Sequence, residues 1–367
     1  MTGTSIDGID AALVRILGHG LQLTGELVCR ASRALGKLAG PLRTAAQQEP
    51  MTAGAVARLA WDFGGLHAEV IGELAAQAGH GLDLICVHGQ TIFHQPPYSW
   101  QLINPAPITQ RFKCPVVSDL RQADLAAGGQ GAPITPIADW ILFRDAGKSR
   151  AIVNLGGFCN VTILPAQRAG TSSRPPEELK DIRGFDVCAC NQVLDAVARA
   201  TLGKAFDENG CAAMAGHAKP QAAEGLGKLL RRQRSAGRSL GTGDETAQWV
   251  HEQQSLLSPN DLASSAVQGI ARCIHESIDK NRIDEAIIAG GGGHNRALIE
   301  AIKSLFTVPV LLSSELGVPI EARESMCFAI LGALCADGVP ITLPQVTGCR
   351  EPAPISGVWM DPTKRQP

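Results

Sequence analysis

Glycine is concentrated in short clusters, and this pattern constrains the fold more than any other feature of the sequence. The chain has 367 residues and 40 glycines, which is about 11% against a usual ~7%. Clusters over residues 3–8, 128–131, 156–157 and 290–293 fall at turns between predicted strands and helices. One such cluster would be explained by a tight corner that needs a positive φ. Several of them predict backbone that lies against a ligand.

Charge and hydrophobic content exclude several classes of protein. The 33 basic and 35 acidic side chains give a net charge of -2, which argues against binding nucleic acid by neutralising its phosphates. No apolar run approaches the ~18–20 residues that span a bilayer, and no secretory leader opens the sequence. With 45% hydrophobic residues we expect a globular chain, and its length of 367 residues suggests two domains.

The cysteines predict a reducing, cytoplasmic environment. There are 11 of them, an odd number, and their spacing does not repeat, which is typical of buried thiols rather than of a disulfide framework. Cys188 and Cys190 form a C-x-C pair, but the further ligands of a zinc site are not at suitable spacing. We therefore expect no metal at these thiols.

Strand and helix patterns alternate, which indicates an α/β architecture. Strands are predicted over residues 9–17, 21–31, 82–87, 151–155, 160–164 and Glu285–Ala289. Helices are predicted over residues 56–74 and 323–335 and from Asn191, Asn260 and Asn295. The order of hairpin, glycine turn and helix occurs in both halves, which predicts a duplicated domain with a cleft between the copies.

Three glycine clusters have the groups that hold a nucleotide phosphate. Residues 3–8 combine bare backbone N–H groups with two hydroxyls and a carboxylate, which suit phosphate oxygens and a hydrated divalent cation. Residues 154–157 offer a second backbone cradle, and residues 290–293 lead from a strand into a helix N-terminus. Their spacing is neither that of a Walker A loop nor that of a Rossmann fold. Together they indicate the actin and hexokinase class of ATP-binding folds.

With these motifs in place, the sequence resembles the anhydro-N-acetylmuramic acid kinase family, bacterial enzymes of peptidoglycan recycling. The matching segments occur in the family's order and cover nearly the whole chain. They are MTGTSIDGID (1–10), HGQTIFHQP (88–96), SDLRQADLAAGGQGAPITP (118–136), NLGGFCNVT (154–162), GFD (184–186), NQVLDA (191–196), AGGGGHN (289–295) and LPQVTG (343–348).

The resemblance implies an α/β fold of two actin-like ATPase (RNase H-like) domains with a central cleft between them. The N-terminal domain would span residues 1–126 plus about 340–367 and carry the first phosphate loop and the sugar-side residues. The C-terminal domain would span residues 127–339 and carry the second phosphate hairpin, the catalytic aspartate and the adenosine-side glycines. The family also implies a small-molecule substrate, a cytoplasmic location and a homodimer.

The family's reaction adds water across the 1,6-anhydro bond of anhydro-N-acetylmuramic acid and phosphorylates the freed O6. The phosphate comes from ATP with Mg²⁺, and the product is N-acetylmuramate 6-phosphate. By position, Asp186 matches the family's catalytic carboxylate and would deprotonate the attacking water. An ordinary carboxylate is ionised at neutral pH and can act as this base. Without the match to the family, Asp186 could equally be an aspartate that only stabilises a turn.

The resemblance assigns the other site residues by position. The ATP contacts would be Gly3, Thr4, Ser5, Ile6, Asp7, Gly8, Ile9, Asp10, Asn154, Gly156, Gly157, Gly290, Gly291, Gly292 and Asn295. The sugar pocket would be lined by His88, Gln90, Arg121, Asp124, Gly129 and Gln130. Asp7 and Glu324 would support Mg²⁺, directly or through water.

Some of these side chains have other interpretations that the sequence leaves open. Arg121 is assigned to the lactyl carboxylate of the sugar, but it could instead pair with Asp119 or Asp124. His88 could be a hydrogen-bonded histidine at a strand end. Glu324 could stabilise its own helix as a first-turn carboxylate.

The chain departs from the family pattern in two places that bear on activity. The family has a strand before its first phosphate loop, whereas this sequence begins at the methionine of that loop, so we expect a start codon placed too late. The family's F-D-T-G-P-G-N reads Phe185-Asp186-Val187-Cys188-Ala189-Cys190-Asn191 here. We expect side chains in place of glycine at 189–190 to alter close approach to the sugar or phosphate.

Two alternatives to the anhydromuramate kinase follow from these observations. One is a kinase for another anhydrosugar, such as levoglucosan, on the same fold. The other is a degenerate nucleotide-binding protein that closes on ATP without turnover, as the altered segment 187–190 would favour. Retention of Asp7, Asp186 and Glu324 argues for the enzyme.

Overall fold

The computed structural model of the protein describes residues 1–3, 6–79, 81–166, 177–235, 245–278 and 283–362. The strands in these ranges are β1 (Gly8–Leu17), β2 (Thr24–Ala34), β3 (Ile85–Cys86), β4 (Gln90–Gln95), β5 (Tyr98–Leu102), β6 (Val116–Ser118), β7 (Arg150–Leu155), β8 (Phe158–Leu164), β9 (Arg183–Ala189), β10 (Glu285–Ala289), β11 (Val310–Leu312) and β12 (Val358–Met360).

The helices in the same ranges lie between the strands and confirm the α/β class. They are α1 (Ala39–Ala46), α2 (Ala53–Ala78), α3 (Ala106–Phe112), α4 (Gln122–Ala126), α5 (Pro136–Phe143), α6 (Asn191–Leu202), α7 (Cys211–Ala215), α8 (Pro220–Ser235), α9 (Glu245–Gln253), α10 (Pro259–Ser277), α11 (Arg296–Leu305), α12 (Arg323–Ala336) and α13 (Pro344–Thr347).

The chain divides into two compact units whose limits differ from the domain limits expected from the sequence. The first unit comprises Met1–Arg144, Gly170–Arg183 and Ala322–Pro367, and the second comprises Asp145–Ala169 and Gly184–Glu321. Expected limits at 126/127 and about 340 would put α5 and α12 in the second unit. Both helices belong to the first, because α12 packs on β1, β3 and α5, and α5 packs on β2.

The second unit is built on one five-stranded sheet in the order β11-β10-β7-β8-β9. β7 is antiparallel to β8 and parallel to β10, which is parallel to β11. Every residue of β7 is buried, as expected of a central strand covered on both faces. If the strands of this unit are numbered from one to five along the chain, from β7 to β11, their order across the sheet from β9 to β11 is 3-2-1-4-5. The second strand is antiparallel to the first. This is the arrangement of an RNase H-like domain.

The first unit contains separate small sheets among its described residues. β1 and β2 form an antiparallel hairpin, β4 and β5 form another, and the third sheet has the order β12-β6-β3. β3 runs parallel to β6, and β12 runs antiparallel to it. The strand expected over 82–87 is reduced to two residues, because its partner β6 has only three. The return strand expected over 21–31 begins at Thr24, after a 3₁₀ turn over Gly20–Gln22.

A cavity of about 420 Å³ lies inside the first unit. It is lined by β1 and β3 together with residues of α2 and α12. β1 pairs with β2 along one side, and its other side has no strand partner among residues 1–3 and 6–79 or the later described ranges. Met1 also lines the cavity, and the backbones of Met1 and Asp10 exchange two hydrogen bonds, each 2.9 Å long.

Helix ends follow the signals that their sequences carry. The Thr52 side chain caps the start of α2 by accepting a hydrogen bond from the amide of Ala55. Gly79, with a φ of 72°, is the C-cap that follows the last helical residue. The long helix expected over 56–74 is therefore confirmed and extended at both ends. In the parts of the chain that the structure describes, no helix has both the length and the apolar character that crossing a bilayer requires.

Candidate active site

Two glycine turns of the second unit lie against each other. An added Cβ at Gly292 would come within 2.7 Å of the Leu155 Cβ and 2.8 Å of the Asn191 Oδ1. An added Cβ at Gly290, whose φ is 84°, would meet the Asn154 Oδ1 at 2.7 Å. The turn after β7 and the turn after β10 are thus packed so closely that only glycine fits at these two positions.

Gly291 differs from Gly290 and Gly292 because it has room for a side chain. A Cβ built there would meet no atom within 4 Å, so the backbone of this residue borders open space. This is the kind of surface on which a ligand can lie against bare main chain. The sequence predicted Gly290, Gly291 and Gly292 as ligand-facing backbone. The structure instead gives Gly290 and Gly292 a packing role, and only Gly291 borders open space.

Asn191 joins the two turns, and the sequence analysis did not select it. Its Nδ2 donates to the carbonyl of Leu155 at 3.1 Å, while its Oδ1 lies where Gly292 leaves no room for a side chain. Its amide and that of Cys190 donate to the carbonyls of Gly156 and Gly157 at 3.1 and 2.9 Å. The N-terminus of α6 thereby fixes the turn over 156–157. The signal was present as an asparagine at a predicted helix start.

Asp186 lies on β9, half-buried, three residues before the end of that strand. The substituted residues that follow it do not line an open surface. Val187, Cys188 and Cys190 are fully buried and Ala189 is 3% exposed, within the apolar core of the second unit. Ala189 and Cys190, whose side chains were expected to alter close approach to sugar or phosphate, point into the core instead.

The thiols of this segment are neutral. Hydrogen bonding to Cys273, followed by burial, raises the pKa of Cys188 well above its usual value. Burial raises the pKa of Cys190 to about 12. All 11 cysteines are free thiols, and most of them are buried. Metal binding through thiolates would have to overcome this preference for the protonated form.

Asn154 and Asn295, both predicted to contact nucleotide, have structural partners. Asn154 is buried at the end of β7 and lies over Gly290. Asn295 is the N-cap of α11, and its Oδ1 accepts a bond from the amide of Leu298 at 3.0 Å. The side chain of Asn295 is thus occupied by its own helix. Its backbone amide donates to Gly292 and its carbonyl accepts from Ile299, each at 3.0 Å.

The predicted first phosphate loop is held at its base by the core of the first unit. Ile6 and Ile9 are 7% and 1% exposed and pack in one hydrophobic cluster with Phe63. Their side chains are core residues, so a contact with ATP could involve only their backbone. Thr4 and Ser5 lie outside the described residues. Arg43, which the sequence did not indicate, donates to the carbonyl of Ile6 at 3.0 Å.

The remaining loop positions are spread along the start of β1. Gly3 accepts a bond from the amide of Ile6 at 3.4 Å, and Asp7 accepts one from Leu35 at 3.1 Å through its carbonyl. Asp7 is exposed, and Gly8 is the first residue of β1. The carboxylate of Asp7 is therefore carried on a surface turn, whereas Asp10 lies within the strand.

Glu324, in the first turn of α12, lies mainly among positive charges. Burial raises the pKa of Glu324, whereas Arg323, the Met1 ammonium and Arg121 lower it, and the weaker effect of Asp10 raises it. The sequence proposed Asp7 with Glu324 as supports of Mg²⁺, and in the structure Asp10 is the carboxylate whose charge acts on Glu324.

A buried ion pair fixes the helix that carries Glu324. Arg323 is 1% exposed and Asp139 fully buried. The Arg323 Nε donates to Asp139 at 2.8 Å, a second short bond joins Nη2 to the other carboxylate oxygen, and Nη2 also donates to Thr135 at 3.2 Å. Burial alone would lower the pKa of Arg323, but the attraction of Asp139 raises it overall. This pair ties the first turn of α12 to α5.

Arg121 and His88 lie side by side in the first unit. The Arg121 Nε donates to the His88 Nε2 at 3.1 Å, and its Nη1 donates to the carbonyl of Gly131 at 2.9 Å. His88 is 7% exposed, and its ring centroid is 4.7 Å from that of Phe328. His88 is thus both a partner of Arg121 and a packed residue that follows β3.

The other predicted sugar residues differ in what their side chains do. Gln90 is 2% exposed, and its Oε1 has no hydrogen-bond partner among the described residues. Asp124 is fully buried, and its two oxygens accept bonds from Gly131 and Thr347. Gly129 is buried beneath Asp124, and Gln130 is exposed. Gln90 therefore offers an unsatisfied buried acceptor, whereas Asp124 is already bonded within the protein.

His94 and Gln101 extend this polar region, and the sequence analysis overlooked both. His94 Nδ1 lies 2.8 Å from the Ser99 hydroxyl, and Gln101 donates to the same hydroxyl at 2.8 Å. Burial, followed by the charge of Arg121, lowers the pKa of His94 to about 4. The Gln101 Oε1 is buried without a hydrogen-bond partner among the described residues. The β4–β5 hairpin is thus a second source of polar groups beside Arg121.

No group of three or more metal-binding side chains that could hold an ion occurs in the described part of the chain. This does not conflict with a magnesium nucleotide, because Mg²⁺ in kinase sites keeps several waters and is held by one or two carboxylates plus substrate phosphates. Glu324, and Asp10 whose charge acts on it, are carboxylates of the first unit.

Comparison with known proteins identifies relatives over the full length of the chain. A family model described as anhydro-N-acetylmuramic acid kinase matches residues 1–360. A protein named anhydro-N-acetylmuramic acid kinase from Salinibacter ruber is 34% identical over 98% of this chain and 94% of its own length. One of the same name from Bacillus cereus is 29% identical over 99% of this chain and 98% of its own length.

The solved structures that match the chain are more distant. The activator of 2-hydroxyisocaproyl-CoA dehydratase from Clostridium difficile, with bound ADPNP, matches with a TM-score of 0.42 at 10% identity, over 89% of this chain and 94% of its own. A ROK family glucokinase from Streptomyces griseus, in complex with glucose and AMPPNP, matches with a TM-score of 0.35 at 16% identity, over 88% of this chain and 99% of its own.

Proposed function

The chain belongs to the anhydro-N-acetylmuramic acid kinase family, and we propose that it opens 1,6-anhydro-N-acetylmuramic acid with water and phosphorylates O6 from ATP. The product would be N-acetylmuramate 6-phosphate, which places the enzyme in the recycling of peptidoglycan sugars. The observation that carries the proposal is the polar region of the first unit in which Arg121 is bonded to His88, and in which Gln90 and Gln101 have buried amide oxygens without a hydrogen-bond partner among the described residues.

The chemistry of this region suits an acidic, hydroxyl-rich sugar. Arg121 would pair with the lactyl carboxylate, since a guanidinium presents several donors in one plane. Gln90 and Gln101 each have a buried amide oxygen without a partner, and a sugar hydroxyl or acetamide N–H would satisfy them. An unsatisfied buried acceptor costs ~1–3 kcal/mol, so a ligand that supplies these donors gains that amount.

Asp186 would act as the general base of the opening step. Its carboxylate would take a proton from water as the water oxygen bonds to the anomeric carbon and the bond from that carbon to O6 breaks. O6 leaves with the electron pair of the broken bond and attacks the γ-phosphorus of ATP, whose bond to the bridging oxygen breaks as ADP leaves. General bases of this kind contribute ~10²–10⁴-fold to the rate.

The nucleotide would lie against the glycine turns of the second unit. Gly291 borders open space where a Cβ would meet no atom, so a flat or phosphate-bearing group can approach its backbone. The first loop, which includes Gly3 and Gly8, would hold further phosphate oxygens. Mg²⁺ would supply charge neutralisation, which is the main requirement of phosphoryl transfer. Asp10 and Glu324 would hold it through water, with Asp7 as the alternative from the sequence.

The proposed function is tested by incubating the protein with ATP, Mg²⁺ and each of three sugars. These are anhydro-N-acetylmuramic acid, levoglucosan and N-acetylmuramic acid, and the product is identified by mass and by ³¹P NMR. We expect a 6-phosphate from the first, with one oxygen from ¹⁸O-labelled water at C1. Product from levoglucosan alone would overturn the assigned substrate. Nucleotide binding without product from any sugar would overturn the kinase assignment.

Two further properties are proposed from the family alone. We expect a cytoplasmic homodimer, and sedimentation equilibrium of the purified protein would test the oligomeric state. A monomer at micromolar concentration would contradict that part of the proposal.

A further inference from the structure

Asp124 accepts hydrogen bonds from two segments that are far apart in sequence. Its Oδ2 accepts the amide N–H of Gly131 at 2.7 Å, and its Oδ1 accepts the hydroxyl of Thr347 at 2.7 Å. Asp124 is fully buried and Thr347 is 1% exposed. A carboxylate in such a place, with both oxygens bonded within the protein, has little to offer a substrate.

The loop from Gly128 to Gly131 is shaped around this carboxylate. A Cβ at Gly129 would lie 2.2 Å from the Asp124 Oδ2, so only glycine fits beneath it. The amide of Gly129 also donates to the backbone carbonyl of Asp124 at 2.8 Å. Gly128 and Gly131 have φ values of 86° and 68°, which are open to glycine without strain. Gly129 is therefore explained by Asp124, and Gly128 and Gly131 by their backbone conformation.

The segment around Thr347 binds the same loop through its backbone. The amide of Gln130 donates to the carbonyl of Thr347 at 2.8 Å, and the amide of Arg350 donates to the carbonyl of Ala127 at 3.0 Å. The loop is thus bonded at both ends to residues near the C-terminal end of the first unit, with the Thr347 hydroxyl bonded to Asp124 between them.

Gly131 connects this arrangement to Arg121. Its amide is bonded to Asp124, and its carbonyl accepts the Arg121 Nη1 at 2.9 Å. The Nε of the same guanidinium is bonded to His88. A shift of Gly131 would therefore move a group that orients the guanidinium.

We propose that Asp124 and Thr347 are positioning residues that hold the loop 128–131, and through Gly131 the Arg121 guanidinium, in the orientation that receives the carboxylate of an acidic sugar. We name these two residues the latch. The inference deepens the proposed function and rests on it for the identity of the sugar. It replaces the sequence-based assignment of Asp124 and Gly129 as substrate contacts, and it brings the segment 344–350 into the site.

The test compares Thr347→Val with two matched variants. Thr347→Val removes the hydroxyl and keeps the shape, Thr347→Ser restores the hydroxyl, and Thr342→Val is the control. Thr342 is also a buried threonine of the first unit, 2% exposed, and its hydroxyl interacts with the Cys349 thiol. Asp124→Asn is measured in parallel, and if it does not fold, the threonine variants alone decide the outcome.

We expect Thr347→Val to raise the KM for the sugar about tenfold, with the KM for ATP changed less than twofold. Thr347→Ser should restore the sugar KM, and Thr342→Val should match the parent protein in both constants. An equal rise in both KM values, or a loss of kcat alone, would overturn the positioning role. An unchanged sugar KM would overturn it as well.

A measurement without substrate separates this inference from the proposed function. Hydrogen exchange of the Gly129–Gly131 amides in the ligand-free protein should be at least tenfold faster in Thr347→Val than in Thr342→Val. Unchanged exchange would overturn the latch even if the protein phosphorylates the expected sugar. Faster exchange in a protein that phosphorylates no sugar would support the latch as a hold on the loop and overturn its role toward the sugar.

Discussion

Arg121 donates a hydrogen bond from Nε to Nε2 of His88 across 3.1 Å. As the acceptor, Nε2 has no proton, so the ring is neutral and carries its proton on Nδ1. Burial lowers the pKa of His88 well below its usual value, and the charge of Arg121 lowers it further. The pair therefore keeps one positive charge and not two.

Replacing Arg121 by lysine should weaken selection for an acidic sugar. Lysine keeps the charge but cannot bond His88 and Gly131 from one planar group. We expect the KM for anhydro-N-acetylmuramic acid to rise about 100-fold, or about 2.7 kcal/mol. The KM for its methyl ester should change much less, because the ester has no carboxylate that the guanidinium could bind. Arg58→Lys, on the exposed face of α2, is the control. Equal effects on acid and ester would refute the assigned role.

Asp186→Asn should abolish turnover while leaving nucleotide binding intact. An amide cannot take a proton from water, so we expect kcat to fall by about 10³-fold or more. The Kd for ATP, measured by calorimetry, should stay within twofold of that of the parent protein. Asp62→Asn, at an exposed position of α2, serves as the comparison. A kcat within tenfold of the parent value would remove Asp186 from the mechanism.

Adjacent glycines in the turn after β10 should respond very differently to alanine. Gly292→Ala would force a Cβ to within 2.7 Å of Leu155, whereas Gly291→Ala would meet no atom within 4 Å. We expect Gly292→Ala to lower the affinity for ATP at least tenfold and to destabilise the protein in urea. For Gly291→Ala we expect unchanged stability. Similar behaviour of the two variants would mean that the turns do not pack as described.

The Arg323–Asp139 pair should matter most when only one partner is removed. Asp139→Asn leaves a buried guanidinium without its counter-charge, which costs about 3–5 kcal/mol. The double replacement Asp139→Leu with Arg323→Met should recover most of that loss, because neither charge is then buried. Urea unfolding gives the three free energies of unfolding. A single variant that loses less than 1 kcal/mol would show that the pair is not a main anchor of α12.

Stability should fall in mild acid because His67 stays neutral when folded. Burial lowers its pKa to about 3, so below pH ~6.5 the unfolded chain binds a proton that the folded chain does not. The resulting loss approaches about 1.4 kcal/mol per pH unit between those two values. His88 and His94 act in the same direction. His67→Gln should therefore lose about 2 kcal/mol less than the parent protein between pH 7.5 and pH 5.0.

The control for this prediction is His251→Gln, at an exposed position of α9. The free energy of unfolding of this variant should depend on pH in the same way as that of the parent protein. If His67→Gln and His251→Gln behave alike, His67 is not the group responsible.

The parts of the fold that depend on local pattern could be predicted from the sequence. The strand Glu285–Ala289 was predicted with the limits that the structure has, because an apolar run between polar flanks and glycines has one reasonable interpretation. The helix over 56–74 and the glycine turns were predicted for similar reasons. Long-range pairing was not accessible: β3 is short because β6 is short, and that follows from a partner about thirty residues away.

The candidate site shows the same limit. Gly291 could be singled out as ligand-facing because glycine clusters are visible in the sequence. Asp124 could not be recognised as a bonded interior carboxylate, since its partner Thr347 lies 223 residues away. Ile9 belonged to the family's nucleotide motif, yet its side chain packs in the core. Burial is a property of the assembled unit, and position in a motif does not reveal it.

The open side of β1 has a consequence for how the two units resist local opening. β7 pairs with a strand on each side, whereas among the described residues β1 pairs only with β2. β1 also lines a cavity of about 420 Å³. Segments with fewer backbone partners open at lower free energy than the whole molecule unfolds. Solvent and proteases should then reach β1 before β7. A sugar bound near Arg121 would stabilise the first unit, so saturation with substrate should slow proteolysis at β1.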